Sequence, residues 1–491
     1  MKLSNFLIIL YNNILYKIHI YCIIMNKINI LSQKLGVKKW KINKQTLKYY
    51  HTKQPELCCK YNRIPIDNVD PYEFHKAISI LNDYYKDIKC DYYTKLYDAS
   101  INLGEDILDI KPNQTLDHII LNYIKFRPNT YVITLWPNAQ GKLIELKELL
   151  AKHGHVYYVR KFNLSYNAAK NLIYQMYGDM YRLSTVDKIE EKVEYLGWKK
   201  DEIKSFKIVI YDHHDSNIKI SGSKSPFKTQ IRNIWVLEHK DMRGDDFVHV
   251  NDNYYQTVEY CQLFFVRNSL IALNFQNLEK HLDKNMEKCR IYVNTIKKWI
   301  VENVHPIDME RFLFFGSTIL YTYGIRVCRD VDGLVGHIPI KSKTDYLAGK
   351  IVKYFYNRKT KFFFGDLGMK GTKAWDDKWD QKDKAWFKLM KIEDRDEMIY
   401  DPKNYYYYNG LKLLTLKNNA MKNMVRRNYH DYGDLIQIEH TTNLEIDYPP
   451  VPEKYTKKKF IELIKKYMTE KYPDNNTYMD KVEAFDFISD K

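Results

Sequence analysis

Cysteine is scarce in this chain: seven in 491 residues, with no Cys-x-x-Cys pair and only Cys58 and Cys59 adjacent. That excludes a disulfide-stapled scaffold and a zinc site of the finger or ribbon kind, whose thiols must be paired and closely spaced, and it suits a reducing compartment. Long apolar runs are scarce too. Only residues 6–25, FLIILYNNILYKIHIYCIIM, approach the length of a membrane span, and Asn12, Asn13, Lys17 and His19 interrupt them. No small-residue cleavage site follows, so a mis-assigned start or a peripheral apolar helix is expected there, without stable membrane association. Mean hydropathy of -0.53 with 45% hydrophobic residues excludes a polytopic transporter. No internal repeat is apparent.

Positive charge is abundant. Lys+Arg 78 against Asp+Glu 61 gives +17, a field that attracts phosphate-rich partners such as nucleotides or nucleic acid. The 43 tyrosines, with many Lys, Asn and Ile, are also what an AT-rich genome encodes, as in a large DNA virus or an AT-rich protist, so codon bias accounts for part of the excess. The expected location is cytoplasmic, in the host cytoplasm or the virion if the protein is viral.

At about 150 residues per domain the length allows about three domains. We expect an α/β multidomain protein: an apolar segment at 1–25, a helical region at 26–128, an α/β domain at 129–275, a linking helix at 276–304, a further α/β domain at 305–440, and a basic tail with a helix at 441–491. The periodicity supports this division. YVITL at 131–135 reads as a buried strand, WPN as a turn, 142–153 as an amphipathic helix, 156–159 as a strand, 165–177 as a helix capped by Ser165, and FKIVIY at 206–211 as another strand. The linking helix carries an apolar stripe of Leu278, Leu282, Met286 and Tyr292.

The most informative stretch is 312–335, FLFFGSTILYTYGIRVCRDVDGLV. An apolar run ends in Gly316-Ser317, a short helix follows, Gly324 breaks it, and a second β-like run carries Asp330 and Asp332. On a strand, residues two apart share a face, so both carboxylates can hold hard divalent cations. Gly316 lets a phosphate approach the backbone, and Ser317 with the free N–H groups of a helix start can receive it. In-line phosphoryl transfer needs this combination of charge neutralisation and positioning.

At these residues the chain resembles the nucleotidyltransferase superfamily of the polymerase-beta type, in which an apolar run, Gly-Ser, a helix and Asp-x-Asp on the next strand form the signature. Downstream, YYYYNGLKLLTLKNNAMKNMVRR with Asp431 and Asp434 is similar to the minimal and AbiEii-like branches, and the resemblance covers roughly residues 304–440. It implies transfer of a nucleoside monophosphate from an NTP, with Asp330 and Asp332 as Mg²⁺ or Mn²⁺ ligands. Gly316, Ser317, Lys422 and Arg426 would contact the nucleotide. Asp401 would be a third carboxylate, with Asp366 and Asp396 as other candidates. The acceptor is open: an RNA end or other nucleic acid, a protein side chain or a small molecule. Gly333 after Asp-x-Asp departs from the family pattern. An alternative is a catalytically inactive member that holds nucleic acid or acts as a scaffold.

Four other features offer chemistry. Asp212-His213-His214-Asp215 resembles a DHH phosphoesterase motif, which would make the protein a metal phosphoesterase using Asp212, His213 and His214; a polar loop is the simpler expectation. His249 and Asp252 would add ligands or cap a helix near Tyr255. SGSKSPFKTQIR, with Lys224, Lys228 and Arg232, would cradle phosphate or form a loop. Trp375, Trp379 and Trp386, and the interleaved KYFYNRKTKFFF, would stack bases or pack a helix.

Overall fold

The computed structural model describes residues 129–472 except 140, 178–184, 216, 221, 223–224, 240, 304–308, 310–311, 329–330, 336–361, 365–384, 393–394 and 443, together with Leu121 and Ile124. The expected segments at 1–25 and 26–128 thus lie almost wholly outside the described residues, as do Asp330, Asp366, Lys224, Trp375 and Trp379. Strands and helices are mixed throughout, as expected. Among the described residues no helix is long and apolar enough to cross a membrane.

The first strand, β1 (Thr130–Leu135), is buried at every position, as its unbroken apolar run requires. Helix α1 (Leu143–Ala151) buries Leu143, Leu146 and Leu150, which recur at helical spacing. Strand β2 (Gly154–Ser165) is much longer than the four residues expected. Its register with a neighbour, not its own hydropathy, carries it through Arg160 and Lys161. Ser165 then starts α2 (Tyr166–Tyr177), its Oγ accepting from the N–H of Ala168 at 3.2 Å. Thr185 caps α3 (Val186–Tyr195) in the same way. Strand β3 (Ile203–His213) is followed by α4 (Pro226–Val236), with proline in its first turn and Phe227, Ile231 and Trp235 buried on one face.

After β4 (Val248–Val250) come the helices α5 (Tyr254–Phe265) and α6 (Arg267–Phe275). The linking helix is broken. Asn277 caps α7 (Leu278–Leu282), the Asp283 side chain accepts from the N–H of Asn285 to open a 3₁₀ turn, and only then does α8 (Glu287–Asn303) begin. A short acidic side chain that bonds the nearby backbone ends one helix and starts the next. Along α8 the buried residues are Cys289, Val293, Ile296 and Ile300, while Tyr292 stays half-buried.

Then come β5 (Phe312–Phe315), α9 (Ser317–Thr322), β6 (Val331–Val335), β7 (Phe362–Phe364) and α10 (Arg395–Tyr400). Strands β8 (Tyr405–Tyr408) and β9 (Leu411–Leu414) form a hairpin through Asn409 and Gly410, at φ 52 and 74. Both positions need the left-handed region, which Asn and Gly enter most readily. The described residues close with α11 (Leu416–Arg426), α12 (Tyr429–Thr442) and α13 (Lys457–Lys471).

These elements form two compact units, each built from separate stretches: Met1–Asn163, Ser205–Cys261 and Lys298–Met309 in the first, Leu164–Lys204, Gln262–Lys297 and Glu310–Lys491 in the second. The expected 129–275 domain is therefore not contiguous, since α2, α3 and α6 pack within the second unit. In the first unit a four-stranded sheet has the order β2-β3-β1-β4, with β1 antiparallel to both β3 and β4. Ile133, Leu135, Leu146, Leu150, Val209, Phe227, Ile231 and Trp235 share its core.

In the second unit a five-stranded sheet has the order β7-β6-β5-β9-β8. Strand β5 runs antiparallel to β6 and parallel to β9, and β6 runs parallel to β7. The edge strand β8 is covered by α6. Ser269 Oγ accepts from the N–H of Tyr407 at 2.8 Å, and Asn268 Nδ2 donates to the carbonyls of Pro402, Lys403 and Tyr405. Edge groups that would otherwise invite another strand are thereby paired.

Candidate functional site

Strand β5 delivers the chain to Gly316 beside β6, where Phe315 is the register partner of Asp332. Gly316 takes φ 75, and a Cβ built there would lie 2.5 Å from Asp332 Oδ2. Only glycine admits the carboxylate so close to the backbone. The Gly316 N–H donates to Asn419 Oδ1 of α11 at 2.9 Å, which fixes the turn against that helix. Ser317 is half-buried at the first position of α9, whose Thr318 to Thr322 are buried.

Helix α11 adds the cations. Lys422, with a side chain only 7% exposed, places Nζ 3.7 Å from Asp332 Oδ2 and 3.9 Å from the centre of the Phe315 ring. A buried ammonium is tolerable only beside such partners. Trp386 packs beside it: its ring lies 5.9 Å from Phe315, and its indole N–H donates to the carbonyl of Asn418 at 3.0 Å. This tryptophan is a packing residue, 4% exposed.

Arg426, one turn further along α11, is held by the fully buried Asp431, whose carboxylate takes both Nε and Nη2 of the guanidinium and the N–H of Asn428. Burial works against the Arg426 charge, but Asp431, Asp434 and Asp332 outweigh it and raise the pKa. The structure thus brings Gly316, Asp332, Lys422 and Arg426 to one end of the sheet, with Ser317 adjoining them.

Asp434 has a different task. Arg326 grips it with Nε to Oδ1 and Nη2 to Oδ2, each at 2.8 Å, and the hydroxyls of Tyr467 and Tyr472 both donate to Oδ1 at 2.8 Å. Burial alone would push this carboxyl up, yet Arg326 and the tyrosines hold it below the usual carboxylate range. The group ties α12 to α13 and to the segment that leads into β6. Neither Arg326 nor Asn419 is legible as a partner from local pattern, because each lies about a hundred residues from the group it holds.

Asp401 is not brought to Asp332. It caps the 3₁₀ turn Pro402–Asn404, accepting from the N–H of Lys403, and pairs with Lys403 Nζ at 2.8 Å. That turn leads into β8, three strands from β6, or about 14 Å at ordinary strand spacing. The proposed third-carboxylate role is therefore corrected to a capping role. Strand β7, beside β6, presents Phe363 in register with Asp332 and no acid within Phe362–Phe364. Asp396 falls within α10, and no further site contact is assigned to it.

In the first unit, the side chains of residues 212–215 engage the protein. His213 meets the Tyr211 hydroxyl at 3.0 Å through Nδ1 and the carbonyl of Ile218 at 2.6 Å through Nε2. Asp215 pairs with His153 at 3.0 Å and accepts from the N–H of Asn217, and these hydrogen bonds lower its pKa. His214 lies 3.4 Å from Asp212. Among the described residues no group of three His, Cys, Asp or Glu side chains is arranged to hold a metal ion.

The other expected sites are structural. Lys228 is buried, donates to the carbonyl of Val250 and pairs with Asp252, so it is not a phosphate-cradling residue; burial lowers its pKa. Arg232 is half-buried on α4 and His249 lies on β4. The cap of α5 is Asn253, which accepts from the N–H of Gln256. Compared with family models, with curated proteins and with solved structures, the chain has no match.

Proposed function

We propose that the second unit is a metal-dependent nucleotidyltransferase that moves a nucleoside monophosphate from an NTP to an acceptor. The observation that carries this reading is the convergence of a carboxylate, a glycine turn and two cations drawn from three separate elements: Asp332 from β6, Gly316 from the β5 turn, and Lys422 and Arg426 from α11. The chemistry of the donors fits the metal. Asp332 offers a hard oxygen, while Lys422 beside it is suited to the phosphates that would arrive with the metal. Asp330 and Asp332 would hold Mg²⁺ or Mn²⁺, which when bound neutralises the triphosphate and favours the in-line displacement. Gly316 and Ser317 would receive the phosphates at the start of α9, Lys422 and Arg426 would balance their charge, and Asp431 would keep the Arg426 guanidinium aimed.

A fluorescent NTP analogue titrated with Mg²⁺ and with EDTA tests the reading. Metal-dependent binding is expected, lost in Asp332→Asn and weakened about tenfold in Lys422→Ala and Arg426→Ala, in keeping with the loss of a charge-assisted contact. Binding that is unchanged in all three folded variants would refute it. A catalytically inactive scaffold of the same fold is the second reading, favoured by the engagement of Asp401 with Lys403 at a distance from Asp332. It predicts nucleic-acid binding insensitive to Asp332→Asn.

A further inference from the structure

Among the described residues three cysteines are free and buried: Cys261, Cys289 and Cys328. Two of them, 39 positions apart, touch. Cys328 donates its backbone N–H to Cys289 Sγ at 2.8 Å, and the same sulfur lies 3.5 Å from the Cys328 carbonyl oxygen. With Sγ so near the Cys328 nitrogen, the two Cα atoms are at most about 7 Å apart, which is within reach of a disulfide. Both side chains are at most 2% exposed, so bulky oxidants are kept out and a small one is required.

The surroundings make the pair more than a packing contact. Cys289 stands near the start of α8, while Cys328 lies between Arg326, anchored on Asp434, and the strand β6 that carries Asp332. A bond between them would fasten the approach to β6 onto α8, in addition to its anchor on Asp434 of α12.

We infer that Cys289 and Cys328 are a reversible dithiol–disulfide pair, oxidised by a small peroxide and reduced by a low-molecular-weight thiol. One sulfur attacks the peroxide, the O–O bond breaks, and a sulfenic acid and one water form. The second sulfur then displaces the hydroxyl, so that two S–H bonds are lost, one S–S bond forms and a second water leaves. A thiol reductant returns both protons and both electrons, and itself becomes a disulfide. The inference does not depend on the nucleotidyltransferase proposal.

The test treats the full chain with hydrogen peroxide, blocks remaining thiols with iodoacetamide under denaturing conditions, and maps peptides without reduction. The expected product is a crosslinked peptide pair containing Cys289 and Cys328, abolished by dithiothreitol and absent in Cys328→Ser. Oxidised wild type should also melt roughly 5 °C higher than reduced wild type, because the closed loop restricts the unfolded chain. Both cysteines alkylated after peroxide, or each oxidised without a crosslink to the other, would overturn the inference. Both readouts use wild type, so a variant that fails to fold does not decide the matter.

Discussion

Two strand ends carry clustered acids, and they behave differently. At the end of β3, residues 212–215 are answered mostly by neighbours a few residues away, Tyr211, Ile218 and Asn217, with His153 joining from 62 positions earlier. At the start of β6, Asp332 is answered from two other elements, the glycine turn after β5 and Lys422 on α11, 90 positions further along the chain. Local partners satisfy a polar motif and leave it little else to do. Distant partners that converge on one carboxylate hold charge in a fixed place, which is what chemistry on a polyanion needs.

The largest effect is expected where an acid is both buried and paired without facing the candidate site. Asp434→Ala leaves Arg326 uncompensated and should cost about 3–5 kcal/mol of stability in the second unit, read from its chemical denaturation. The Asp434 carboxyl sits below its unfolded pKa, so the stability it confers is complete above about pH 4 and is lost as the pH falls through its folded value. If the variant matches wild type, the distinction between structural and functional acids on α12 fails.

His281 sharpens the same point at higher pH. Burial lowers its pKa to about 4, against the hydrogen bond from Nε2 to the Thr322 carbonyl, which raises it, and with a smaller lowering by Arg290. The unfolded chain therefore takes up a proton that the folded chain refuses. Stability from this group is full above about pH 6.5 and declines as the pH falls to about 4, by roughly 3 kcal/mol in total. Denaturation measured across that window should show the slope, and His281→Gln should flatten it.

Gly316→Ala and Asp212→Ala contrast the two strand ends directly. The added methyl at Gly316 must displace Asp332 and is strained at this positive φ, so nucleotide transfer by the folded variant is expected to fall about tenfold or more, with a lower melting temperature. Asp212→Ala should leave transfer unchanged. Equal losses in the two would erase the difference between the clusters.

The sequence made some of this legible. Periodicity located β1, α1, the Ser165 cap and the Phe312-to-Gly316 run, because those signals are local and their burial is uniform. The hairpin at Asn409-Gly410 was also available, since that pair is the strongest short turn signal between two apolar strands. Other features were not readable. Lys228 looks like a surface lysine until Val250 and Asp252 are folded against it, and Asp401 looks like a site acid until the sheet order separates it from β6. The break at Asp283 turns on one hydrogen bond that hydropathy does not register. Tertiary pairing decides the first two, and a local side-chain bond the third.

The most direct test of the central claim is transfer from α-labelled NTPs with Mn²⁺ or Mg²⁺, with and without mixed RNA, by wild type and by an Asp330→Ala, Asp332→Ala double variant. Label transferred by wild type and lost in the double variant is expected, with the labelled molecule identifying the acceptor. No transfer from any nucleotide, or transfer that survives both substitutions in a folded protein, would contradict it.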